Sequence, residues 1–281
     1  DAQESRGLGD VYKRQHTMQR RTLLTAAGYT TAWSTLGIMS LGTAQAQVTD
    51  LNDAINKAGR QRMLSQRMGK AWLALAHKSD TPAARAVLDQ SLALFERQLA
   101  ELKAYAPSPI IRDTYTKLES AWADHKATLL GTAPSRDGAA ALLQADAKVL
   151  ALAHQGTVQY EAASGKPVGK LVNVAGRQRM LSQRMAKFCL SAMLGVDTST
   201  ATTEIAKARD EFISATELLR NAPQATDRIR QELLLADGQW VFFYAALQRL
   251  GTSNNTFRQV SEVFVSSENL LASMDRVTGL Y

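Results

Sequence analysis

Residues 58–68, Ala-Gly-Arg-Gln-Arg-Met-Leu-Ser-Gln-Arg-Met, return letter for letter as residues 175–185. Eleven identical residues at a constant offset of 117 make this chain a tandem duplication. A duplication restricts the fold to two like units, or to one body assembled from both. Core packing tolerates exchange among Leu, Ile and Met, so packing alone does not hold three arginines, two glutamines and a serine unchanged. A recent duplication would leave the flanks alike as well, and they have diverged widely. The box therefore reads as a site.

Around it, the composition favours helix: Ala, Leu, Gln, Glu, Lys and Arg abound and there are only 6 prolines in 281 residues. The single cysteine, Cys189, excludes an intramolecular disulfide and a Cys-based metal site, and its apolar neighbours Phe188 and Leu190 mark it as a core residue. Residues 1–17 read as an upstream leader foreign to the mature protein. From Met18, a charged start with Arg20-Arg21, a mildly apolar run to Leu41 and Ala44-Gln45-Ala46 read as a signal peptide over 18–46, with a weak twin-arginine character. Seven Gly, Ser and Thr residues make that run too polar for a good membrane anchor. Cleavage near Gln47 predicts a periplasmic protein that does not span the membrane, with 28 basic and 23 acidic residues. That mild positive balance suits a small anion and is too weak, without a basic stripe carrying aromatics, for nucleic acid.

Turn signals divide each copy into four helices. Expected spans are 49–78, 82–105, 109–130 and 137–163 in a first repeat over 47–164. In a second repeat over 168–281 they are 168–194, 200–221, 224–250 and 254–277. Thr81-Pro82 reads as a cap followed by a proline in the first helical position. Phe95 matches Phe212, Trp122 matches Trp240, and Val149 and Gly165 are aligned with Val263 and Gly279. The expected fold is all-α: two tandem up-down four-helix units with pseudo-two-fold symmetry, separate or fused into one long bundle.

At about 100° per residue, Arg62 lies roughly 200° from Arg60, on a face shared with Leu51, Ile55, Ala58, Ser65, Gly69 and Leu73. Arg179 repeats this beside Val172, Ala175, Ser182 and Ala186. Both arginines thus leave a face that wants burial, among small residues that include Gly59 and Gly176. A guanidinium keeps its charge, so a partner is required. An internal carboxylate from another helix is one candidate and an external anion the other; neither box offers an acid at i±3 or i±4. Ser65, Ser182, Asn56, Asn173, Gly59 and Gly176 are the further residues expected to line a ligand site with the two arginines, with Gln66 and Gln183 beside them. If the box helices face each other, Arg62 and Arg179 converge and an anion between them relieves their repulsion. Arg60, Arg67, Arg177 and Arg184 belong on groove edges or solvated faces.

The run from Asn56 to Met68 resembles the signature of PilJ-type domains, the N-terminal sensor region of type IV pili methyl-accepting chemotaxis transducers, and it does so in both copies. It is also similar to the box in the first periplasmic helix of NarX-type nitrate/nitrite sensor kinases. The resemblance implies a periplasmic four-helix sensor. For the NarX branch it implies nitrate bound across a symmetric dimer by the arginine before Met, which falls on Arg62 and Arg179. The expected function is an exported sensor module for a small anion, nitrate or nitrite foremost, reporting to a membrane-bound sensor kinase or chemoreceptor. The alternative is a structural adaptor of a pilus or chemoreceptor assembly, with the box serving helix contact. An enzyme is not expected: His16, His77, His125 and His154 are scattered, there is no Glu-x-x-His pair, haem motif or Gly-rich phosphate loop, and Met63, Met68, Met180 and Met185 suit core filling. No cofactor or metal is expected.

Overall fold

A computed structural model describes residues 47–131, 133–250 and 256–281; the expected leader and signal peptide lie outside them. Among the described residues there are eight helices, each within a few residues of its expected span: α1 (Leu51–Ala76), α2 (Thr81–Tyr105), α3 (Pro109–Gly131), α4 (Ala139–Ser164), α5 (Pro167–Met193), α6 (Thr198–Asn221), α7 (Asp227–Gln248) and α8 (Thr256–Thr278). The Asp50 side chain caps α1 by accepting from the Asp53 N–H, and Thr226 does the same for α7 through Ile229. Thr81 is not the cap of α2. The helix begins on it, and Asp80 before it is left-handed (φ 46°) with no side-chain cap bond. Its counterpart Asp197 has the same φ before α6, so the two copies share even this strained entry.

The copies are fused through their first helices. α1 and α5 run parallel, side by side, with Gly59 against Gly176; a Cβ on Gly59 would stand 3.8 Å from the Gly176 Cα. α1 packs on α2 and α4 of its own copy, α5 on α6 and α8 of its own. α4 also touches α5, and α8 touches α1. The four helices α1, α4, α5 and α8 therefore surround one axis, with one core running through both copies. Cys189 and all four methionines of the boxes lie in that core, and burial pushes the Cys189 thiol up to about 12.

Matched contacts define how the copies correspond. Phe95 stacks on Trp122 at 4.2 Å and Phe212 on Trp240 at 4.7 Å. Gln61 donates to the Phe95 carbonyl and Gln178 to that of Phe212. For the last helix the alignment of Val149 with Val263 and Gly165 with Gly279 is displaced. The Tyr160 hydroxyl donates to the Leu102 carbonyl, and the Tyr281 hydroxyl donates to the Leu219 carbonyl. Gln66 reaches Asp146 where Gln183 reaches Ser267, and Arg62 meets His154 where Arg179 meets Asp275. All three pairs put α4 and α8 at an offset of 121, not 114. The difference is one heptad, two helical turns, which leaves the apolar stripe in place and so passes unnoticed in the pattern.

Candidate functional site

Arg62 and Arg179 do converge. Both side chains are fully buried. Their Nη2 atoms stand 3.8 and 3.2 Å from the position a Cβ on Gly176 would occupy, hence within about 7 Å of each other. The glycine contact makes this possible, because any side chain at 59 or 176 would meet a guanidinium at 3.2–3.3 Å. Two charges at that separation repel by about 2 kcal/mol at an effective dielectric of ~20.

Each arginine crosses to the other copy. Arg62 Nη2 donates to the Asn173 carbonyl (3.2 Å) and Oδ1 (2.7 Å); Arg179 Nη2 donates to the Asn56 carbonyl (3.2 Å) and Oδ1 (2.8 Å). The asparagines thus act as acceptors for the opposite guanidinium. Ser65 and Ser182 turn back along their own helices, donating to the carbonyls of Arg62 and Arg179, and accept from Gln66 and Gln183. They brace the turn that carries the arginine rather than reaching its head.

Here the two copies part. Arg179 Nη1 donates at 2.5 Å to Asp275 of α8, which also accepts from Arg60 at 3.1 Å. An internal carboxylate therefore serves Arg179. Arg62 Nη1 instead faces His154 Nδ1 at 3.2 Å. An arginine only donates, so this ring nitrogen accepts and the imidazole is neutral. Burial and the neighbouring Arg62 and Arg177 charges hold the His154 pKa below its ordinary value. The Nε of both arginines is buried without a hydrogen-bond partner. Burial, then Arg177 and Arg179, lowers Arg62 to about 9; burial and Arg60 lower Arg179 to about 10 against the pull of Asp275.

A second layer of charge lies two turns along the same helices. Lys70 and Lys187 are buried. Lys70 donates to Glu268 (2.6 Å) and Ser267 (2.9 Å), with Arg67 sharing Glu268 at 2.5 Å. Burial tends to raise Glu268, but Lys70 and Arg67 outweigh it and hold the carboxyl down to about 2. Lys187 pairs with Asp146, which Gln66 also bonds at 2.9 Å. Both pairs join one copy to the other. Reading the sequence missed them because lysine suggests surface, although Lys70 and Lys187 themselves repeat at the offset of 117, one residue past the Gly69/Ala186 mismatch.

Among the described residues no group of three or more His, Cys, Asp or Glu forms a metal site, and no helix is long and apolar enough to cross a membrane. No curated protein and no solved structure matches the chain. One family does, twice: that described as type IV pili methyl-accepting chemotaxis transducer N-term, over residues 44–154 and again over 160–275. With a central pair of parallel box helices and both copies matched over nearly the whole described chain, this protein belongs to the PilJ family and carries its sensory domain in tandem.

Proposed function

We propose that the chain is an exported, periplasmic input module of a chemosensory or type IV pilus system, which senses a small anion at Arg62 and Arg179 and signals through a partner. Membership in a sensory family supports the general role. The observation that carries the anion is Arg62 itself: fully buried, bonded to neutral acceptors alone, beside a second buried arginine, with the Nε of each unpartnered. An anion at this point offsets the repulsion and the loss of hydration together. Nitrate and nitrite lead, since small planar anions match planar guanidinium forks and the box is similar to that of nitrate-responsive sensors. Binding couples to the spacing of α1 and α5, because both helices contribute an arginine. Output needs a further surface. The outward face of α7 offers one in Leu234, Leu235, Val241 and Phe242, where the matching face of α3 has Thr116, Lys117, Ala123 and Asp124. No catalytic role is assigned to any residue.

A second reading has its own support. The crossed bonds from each arginine to the opposite asparagine also staple the two copies together, which suits an adaptor. Thermal unfolding of residues 47–281 in nitrate, nitrite, chloride and sulfate separates the two. A binder gains about 2.7 kcal/mol at a hundredfold excess of ligand over Kd, and Arg62→Ala or Arg179→Ala removes the gain. A staple loses stability in those variants by the same amount with or without anion.

A further inference from the structure

The pseudo-two-fold axis relates two sides that are chemically unlike. On one side Asp275 and Glu268 of α8 face the box arginines of α1: Asp275 bridges Arg60 and Arg179, and Glu268 holds Arg67. The matching positions on α4 are His154 and Ala147. There the arginines Arg177 and Arg184 of α5 find their acids on the opposite wall, Glu211 and Glu204 of α6, where α2 has Leu94 and Val87. On that side a groove of about 380 Å³ lies between α4, α5 and α6, lined by Glu204 and Glu211 together with Arg177, Arg184 and Lys207. His154 and Arg177 stand in its lining, with Leu150, Met180 and Leu181 as its apolar part. Arg62 lies directly behind His154 and bonds no carboxylate there.

We propose that this groove binds a small organic carboxylate whose acid group bridges Arg62 and Arg177, as Asp275 bridges Arg179 and Arg60 on the other side. Asp275 serves as an internal template for the ligand: its carboxylate lies 2.5 Å from Arg179 Nη1 and 3.1 Å from Arg60 Nη2. Arg62 itself is outside the lining, covered by the His154 ring that bonds its Nη1, and its buried Nε has no hydrogen-bond partner. The apolar part of the groove takes a short hydrocarbon body, which an inorganic anion lacks. The inference rests on reading Arg62 as an anion site, but it gives the site to one side only and needs no ligand spanning Arg62 and Arg179.

Calorimetric and thermal titration of residues 47–281 with acetate, butyrate and succinate, and separately with nitrate, tests it. A carboxylate should bind the parent protein and raise its melting point. His154→Asp, which copies Asp275, should raise the melting point of the free protein and weaken carboxylate binding at least tenfold. Ala151→Trp, at an exposed position of the groove wall, should do the same to binding without entering the core. Ala272→Trp, the matching exposed position on α8, should leave binding as it is. No response to any carboxylate, or equal losses in the two tryptophan variants, overturns the proposal. A nitrate response that survives Ala151→Trp, with no carboxylate response, removes the groove ligand and leaves the sensing of an inorganic anion intact. Carboxylate binding without a nitrate response does the opposite.

Discussion

Replacing Asp146 by Asn keeps the shape and the Gln66 bond but leaves the Lys187 ammonium, only 2% exposed, without its counter-charge. Breaking a buried pair in this way costs about 3–5 kcal/mol. An independent limit comes from the lysine itself. Instead of remaining charged in the core it can release its proton, which at pH 7 costs roughly 1.36 kcal/mol per pKa unit over about 3.4 units, or about 4.6 kcal/mol. The two figures agree, so the folded variant should hold Lys187 partly or wholly neutral. That fixes the sign of the pH dependence. The unfolded chain then binds one more proton than the folded one, so stability of the variant rises with pH up to the ordinary lysine pKa. Urea unfolding followed by circular dichroism should show Asp146→Asn about 3–5 kcal/mol below the parent at pH 7, and at pH 9 no more than about 2 kcal/mol below it on the same scale. The double variant Asp146→Asn with Lys187→Met should recover most of the loss at both pH values. A penalty under ~1 kcal/mol at pH 7, or one that is flat from pH 7 to 9, would refute the claim that this pair is desolvated and joins the copies through charge.

Further outcomes follow from single contacts. His125 is buried with both ring nitrogens unpartnered and packs edge-on to Trp122 at 6.0 Å, while the second copy has Phe243 against Trp240 at 6.2 Å; His125→Phe should therefore stabilise the protein by about 1 kcal/mol in denaturant titration. Gly59→Ala brings a Cβ to 3.3 Å from Arg62 Nη2 and 3.8 Å from the Gly176 Cα, and should cost about 1–3 kcal/mol and abolish the anion response. Gly238→Ala meets nothing within 4 Å on the exposed face of α7 and should instead gain up to ~1 kcal/mol from helix propensity. Glu268 has its pKa depressed to about 2, so its contribution is complete above the ordinary carboxylate range and is lost as pH falls towards 2. Glu268→Gln should flatten that acid limb of an unfolding-midpoint profile.

What the sequence reveals here follows from where its information is local. Helix spans were legible because Pro, Gly and Asp mark the breaks, and the inward aim of Arg62 and Arg179 was legible because 3.6-residue periodicity alone sets it. Their meeting followed from the duplication. Their partners were hidden. Asp275 and His154 lie on the last helix of each copy, where an apolar stripe looks the same after a shift of seven residues and only Tyr160 and Tyr281, ending at matched carbonyls, reveal the register. Lys70 and Lys187 were hidden for a different reason: whether a lysine is buried depends on an acid supplied by the other copy, Glu268 or Asp146, and no local pattern carries that.

The same asymmetry gives a physical reason for placing two sensory domains in one chain. In a homodimer, symmetry forces any residue facing one central arginine to face the other as well. A carboxylate there would neutralise both arginines and close both sides, and a histidine would leave both open, with two buried charges and no internal relief. A tandem chain escapes that constraint. Asp275 settles Arg179 and stabilises the α1–α5 contact in the absence of ligand, while His154 leaves Arg62 without a bonded carboxylate, under the weaker pull of Glu211 and Glu161 alone. If that division is functional, Asp275→His should be tolerated only together with His154→Asp. His154→Asp with Asp275→His keeps one carboxylate at the axis and moves the open side to α8, whereas Asp275→His alone leaves two buried arginines without an acid at the contact and should be the less stable of the two.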